Sequence, residues 1–492
     1  MKSIRTRAAM RPRRPTARQL TARQITAWLI AAALCAAALL LFAAAAHKRT
    51  AVYRYDVSAD ARLDFGRTRV SRVTAVLANG RLLVPARAGA RDVVLLGVRV
   101  RSTLLGRWFE PRLEIEADGR RFTQTFERGG SGLRHVNLSP LGLQSETTVL
   151  LHGRYLGIGD QQVTLYYLPS DLDPDRQSIL VVSPHPDDAE IAAFGLYAGR
   201  NAYVVTVTAG EAGDTDAFPG FEGAAAHIAK GRTRVWNSLT VPMLGGLEPG
   251  RTANLGYFDG TLEAMAANPQ VEVHSPASGA MNLDAFRSTH APDLILPDPD
   301  RRATQANLVD DLAHVVQRVQ PDIIVAPYPL IDLHSDHKMT TAALLAALKK
   351  LHWTRGALLL YSNHLPSNPL YPYGDAGDLV SPPPGIDGIV FDGMYSNPLS
   401  AENQALKHTA LDAMIDLRPA QVAGSAWSAA GIFLKTLLTE ATGRDDSYFR
   451  RAVRADEFFL EIRMPSLYEP GITERIEGIS APGEPANAGA GP

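Results

Sequence analysis

Between Ser178 and Tyr361 short apolar runs alternate with segments of helical period, and this alternation constrains the fold more than any other feature of the chain. Ser178 to Ser183 (SILVVS), Tyr203 to Thr208 (YVVTVT), Asp322 to Ala326 and Ala357 to Tyr361 read as strands. They are apolar nearly throughout, as strands buried on both faces must be. Ala189 to Gly199, Gly223 to Leu239, Asn307 to Val319 and Thr340 to Leu351 read as helices. Strands separated by helices return parallel, so the pattern predicts an α/β, Rossmann-like parallel sheet wrapped by helices on both faces.

The preceding stretch follows a different rule. From about Ala51 to Tyr167 the period is two, as in Val98-Arg-Val100-Arg, with Asn79-Gly80 and Asp118-Gly119 as hairpin signals. This predicts an all-β, sandwich-like domain over residues 51–168, with Trp108 and Tyr155 available either for packing or for stacking on sugars. The polar, proline-punctuated stretch Pro169 to Gln177 marks a boundary. A catalytic domain over 177–465 and a flexible, Ala, Gly and Pro rich tail over 466–492 complete the expected order.

Residues 1–24 form a basic leader, and residues 25–46 are an apolar run interrupted only by Thr26, about the ~20 residues a bilayer requires. The run is read as a transmembrane helix, with Ala43-Ala44-Ala45 leaving a cleaved signal open as the rival. Eight basic residues precede it and only Lys48 and Arg49 follow closely, so the positive-inside bias puts residues 1–24 in the cytoplasm. The expectation is a single-pass membrane protein, held in the lipid bilayer by one helix, with an extracytoplasmic (periplasmic or extracellular) catalytic domain. The first 49 residues carry ten basic groups and no acid, so although the whole chain sums to -1, the remainder is acidic and no nucleic-acid partner is expected. Cys35 is the only cysteine, which excludes an intramolecular disulfide and thiolate zinc sites. A metal must be held by His, Asp or Glu.

Two clusters carry such residues at the C-terminal ends of predicted strands, where ligands bind in open α/β sheets. They are His185-Pro-Asp187-Asp188-Ala-Glu190 and Asp332-Leu-His334-Ser-Asp336-His337. Each puts two donors three residues apart where a loop enters a helix, which suits a catalytic zinc site with three protein ligands and an open position.

With these motifs, and with Thr208-Ala-Gly210-Glu-Ala-Gly213 and Leu255-Gly-Tyr257-Phe-Asp259-Gly260 between them, the chain from about Gln177 to Phe459 resembles the PIG-L/LmbE-like family of zinc-dependent N-acetylglucosaminyl deacetylases. The resemblance implies Zn2+ held by His185, Asp188 and His337, Asp187 as general base, and a protonated His334 acting on the oxyanion or the leaving amine. Asp336 and Asp332 become carboxylates that orient imidazoles, and Arg232 or Arg234 the substrate-contacting arginine. Asn363 and His364, directly after a predicted strand, are candidates for the sugar pocket. The chain departs from the family pattern where Ala189 displaces the usual glutamate to Glu190, at Ser335 in place of proline, and in the late motif of Lys407, Ala410, Leu411 and Gln421, where Met414 replaces a histidine. The expected function is removal of the N-acetyl group from an N-acetylglucosamine-type sugar in an envelope glycan or glycolipid. An inactive glycan-binding ectodomain and a zinc amidase acting on another acyl amide are the alternatives.

Overall fold

The computed structural model describes residues 52–478 apart from 219, 292, 297–300, 369, 386–387, 418–430 and 432–447, together with 29–31, 33, 35 and 36. Most of the expected span at 25–46 and residue Gln421 lie outside these. No helix among the described residues is long and apolar enough to cross a membrane, so the expected transmembrane helix, bilayer contact and single-pass location are not supported.

The described residues from Val52 onwards form one compact unit, within which strands build two sheets. The first contains β1 (Ser71–Ala78), β2 (Arg81–Val84), β3 (Val93–Ser102), β4 (Arg112–Ala117), β5 (Arg120–Thr125), β6 (Ser131–Asn137), β7 (Thr147–Arg154), β8 (Leu156–Gly157) and β9 (Gln161–Leu168). Every pairing is antiparallel, in the order β5-β4-β7-β2-β1-β9-β3-β6 with β8 beside β3. It is one continuous hydrogen-bonded sheet around its own core, not the two facing sheets of a sandwich. Alternation fixes which face is buried, but not whether the strands split into two layers. Tyr155 lies between Phe109, stacked at 5.3 Å, and the Arg154 guanidinium at 5.4 Å, so its ring is used in packing.

The second sheet corrects the parallel expectation. Its strands are β10 (Ile179–Ser183), β11 (Ala202–Thr208), β12 (Thr252–Tyr257), β13 (Ile323–Pro327), β14 (Ala357–Tyr361), β15 (Gly393–Pro398) and β16 (Asp456–Arg463), in the order β12-β11-β10-β13-β14-β16-β15. The first five are parallel, whereas β16 pairs antiparallel with both β14 and β15, making the sheet mixed. The alternation that ends at Tyr361 carries no information about strands added later. Winding reverses at β10, whose neighbours are β11 on one side and β13 on the other, and this switch point opens a crevice at the C-terminal strand ends.

The described helices here are α1 (Asp188–Tyr197), α2 (Ala224–Thr240), α3 (Leu262–Ala267), α4 (Gln305–Val319), α5 (Ser335–Lys350), α6 (Ala401–Ala413), α7 (Tyr448–Ala452) and α8 (Ile472–Glu477). Leu467, Ile472 and Ile476 are buried in the main core, so residues 466–478 are folded rather than part of a flexible tail, and 479–492 lie outside the described residues.

Strand β3 of the first sheet feeds both cores. Val93 and Leu95 enter the core of the second sheet, while Val94, Leu96, Val98 and Val100 enter the core of the first, as a side-chain period of two dictates. A buried polar bridge joins them where Asn137 donates to Ser396 Oγ at 2.9 Å and Asp456 Oδ2 at 2.8 Å.

Helix α1 breaks at Ala193 (φ -140°). The Glu457 carboxylate accepts from the backbone N–H groups of Gly195 and Leu196, both at 2.8 Å, acting as a cap inside the helix. Lys407 neutralises it at 2.8 Å with both side chains buried, which gives the late-motif lysine a structural role beneath the helix that carries Asp187 and Asp188.

Candidate metal and active site

The loop after β10 and the loop after β13 meet across the switch point. His185 Nδ1, Asp188 Oδ2 and His337 Nε2 form a nearly equilateral triangle with separations of 3.1, 3.2 and 3.1 Å. Three donors at about 2.0–2.1 Å from a tetrahedral metal stand roughly 3.3–3.4 Å apart, so the triangle fits such an ion closely. Overlapping sets that include His334, His364, Asp259 and Asp336 also converge on this place.

Each corner is held from behind. The Nδ1 of His337 faces Asp332 Oδ2 at 3.1 Å, which leaves Nε2 to act as a donor atom towards the triangle. His185 Nε2 faces Asp259 Oδ1 at 3.2 Å and Asp336 Oδ2 at 3.4 Å, freeing its Nδ1 in the same way. Asn363 donates to Asp188 Oδ1 at 2.8 Å, and the His185 backbone N–H donates to Asp188 Oδ2 at 3.0 Å. Burial opposes charge on both imidazoles, yet the surrounding carboxylates outweigh it, raising His337 to about 9 and His185 well above its usual value. The same imidazoles hold Asp188 well below the carboxylate range in spite of its burial. A cage that draws positive charge so strongly suits a divalent cation, and its nitrogen and oxygen donors fit the metal that the family resemblance implies.

Asp187 occupies the N-cap position of α1, but its side chain makes no capping bond. One oxygen instead pairs with Arg234 Nη2 at 3.1 Å. Burial pushes the Asp187 carboxyl up, and Arg234 partly offsets this. Arg234 also donates to the Gly210 carbonyl at 2.9 Å and meets Asp416 Oδ2 at 3.1 Å. Gly210 has φ +65°, and a Cβ there would lie 2.2 Å from the guanidinium, so both conformation and approach require glycine. Arg232 is exposed, because residues two apart on a helix cannot share a face, and it does not join the site.

His334 caps α5, its Nδ1 accepting from the Asp336 backbone N–H at 3.2 Å. Burial, followed by the neighbouring His185 and His337 imidazoles, lowers its pKa. With Nδ1 used as acceptor, the ring's donor atom is Nε2. Asp336 is fully buried and accepts from the Gly260 and Leu262 backbone N–H groups at 2.6 and 3.2 Å, so it ties the loop after β12 to the site as a positioning group. His364 stacks at a tilt 5.1 Å from His337, and Asn363 is turned to Asp188.

Asp259 and Asp416 escaped the sequence reading. Asp259 lay inside a motif already singled out, Leu255 to Gly260, which was a usable signal. Asp416 follows α6 within the late motif of Lys407 to Gln421, at a position that the motif does not specify.

A His/Asp donor triangle with a carboxylate beside it, at the switch point of the sheet, is an arrangement that suits metal-assisted hydrolysis. Residues 180–348 match the family model PIG-L, described as GlcNAc-PI de-N-acetylase. That segment of the chain is therefore similar to the PIG-L family. No curated protein matches it. Among solved structures it is similar to Dbv21, the deacetylase of the antimicrobial A40926 pseudoaglycone (20% identity, 59% of this chain and 99% of that one, TM-score 0.27). It is also similar to GalB, the 4-carboxy-2-hydroxymuconate hydratase from Pseudomonas putida KT2440 (16% identity, 58% and 96%, TM-score 0.29).

Proposed function

We propose that the protein removes the N-acetyl group from an N-acetylglucosamine-type sugar, using zinc held by His185, Asp188 and His337. The observation that carries this reading is the donor triangle with a carboxylate, Asp187, that is not spent on capping its own helix. Zinc, when bound, supplies Lewis-acid polarisation and makes water easier to deprotonate. Asp187 takes the proton from the attacking water as its oxygen bonds to the acyl carbon. Arg234 fixes the carboxylate and opposes the push of burial on its protonation. His334 donates from Nε2 to the developing oxyanion. The carbon–nitrogen bond then breaks, the proton held by Asp187 passes to the departing amine, and acetate and the free amino sugar result.

The test is acetate release from an uncharged N-acetylglucosamine disaccharide. Release that is abolished by chelation and restored by zinc supports the reading. Absence of acetate from fully metal-loaded protein contradicts it, and release only of longer acyl groups from other amides transfers the site to a different amidase.

A further inference from the structure

The cations that the site's carboxylates engage are already held by several acceptors each. Arg234 and Lys230 project from α2 with side chains only 8% and 5% exposed, and both meet a single oxygen, Asp416 Oδ2, at 3.1 and 3.2 Å. Lys230 also donates to the carbonyls of Ala212 and Asp214. An ammonium has three N–H donors, so none is left over. The remaining guanidinium contacts of Arg234 go to Asp187 and to the Gly210 carbonyl. Asp416 is in turn fixed by α2, since Asn237 donates to the Ala413 carbonyl at 3.3 Å and accepts from the Ile415 N–H at 3.4 Å.

On the proposed reading of the site, on which this inference rests, Arg234 is the cation best placed to receive an anionic group on the substrate. A phosphate arriving there competes with Asp416 and Asp187 for a buried arginine and comes to rest among Asp187, Asp188 and Asp259. Like charges brought together in this way cost enough to reject a partner. We infer that Asp416 is a specificity residue, which occupies Arg234 and Lys230 and so sets the site for sugars without phosphate next to the acetamido ring. Specificity here comes from removing a complementary charge and leaving a repulsive one, in a carboxylate with no part in the bond-breaking step.

The experiment compares kcat/KM of the zinc-loaded protein on an uncharged N-acetylglucosamine disaccharide and on N-acetylglucosamine 1-phosphate. The disaccharide should be preferred by about tenfold or more. In Asp416→Asn the ratio should fall by roughly tenfold, chiefly through a lower KM for the phosphate sugar, as Arg234 and Lys230 become available. Equal or better use of the phosphate sugar by the unmodified protein overturns the inference, as does an Asn variant in which both substrates change alike. Calorimetric binding of glucosamine and glucosamine 1-phosphate to the same proteins separates this from the deacetylation reading. If no acetate is ever released, that reading fails, yet tighter binding of the uncharged sugar that reverses in the variant still upholds the role of Asp416. Where Asp416→Asn does not fold, Asp416→Ser is used, and the two sugars' affinities for the unmodified protein decide.

Discussion

Burial alternates along β1 and β7 of the nine-stranded sheet, whereas every residue of β10, β13 and β14 in the seven-stranded sheet is buried. The two patterns have different consequences for chemistry. An antiparallel hairpin sends successive loops to opposite ends, so polar side chains near the turns scatter. Parallel strands deliver each following loop to one edge, and His185, Gly210, Asp259, His334 and Asn363 meet there although they span more than a third of the chain. The first sheet contributes packing through β3, and the second contributes the site.

This contrast breaks most visibly if the buried charges of the second sheet are removed. Lys407→Met leaves Glu457 buried without its cation, and the expected cost is about 3–5 kcal/mol in denaturant unfolding, with α1 losing its internal cap. An unchanged midpoint would show that Glu457 does not depend on Lys407.

Asp187→Asn keeps shape and donor triangle but removes the base. Turnover should fall by roughly 100-fold or more while metal content stays, a split readable from acetate release beside elemental analysis. Near-normal turnover would assign the proton to another group.

A smaller effect sharpens the other side of the comparison. His135 on β6 is buried, and burial followed by the Arg134 charge pushes it down to about 4. Its native pKa is thus below the unfolded value of about 6.5, so its contribution to stability is full above that pH. The contribution is lost as pH falls through 6.5 towards 4, at up to about 1.4 kcal/mol per unit. His135→Phe should flatten this part of the stability curve without moving metal affinity. A shift in metal affinity would mean that the first sheet does more than pack.

The His185 and Asp332 clusters were legible because each is contiguous and abuts an apolar strand, so local pattern placed them at one sheet edge. The strands and helices between Ile179 and Tyr361 were legible for the same reason. What escaped depends on long-range pairing: β15 and β16 turn the sheet mixed, and the hydrogen bonding of β1 to β9 makes one sheet of the expected two. Asp416 reaches Arg234 only through the packing of the segment after α6 on α2. The choice between Arg232 and Arg234 required the helix phase relative to the sheet, which residue spacing alone does not supply.

The central claim is that the edge of the second sheet holds one metal through His185, Asp188 and His337. Elemental analysis of the purified chain, after dialysis against zinc and then buffer, should find about one equivalent per chain, and His337→Ala should lose most of it because one of three ligands is gone. Full occupancy in His337→Ala, in a protein that remains folded, would contradict the account.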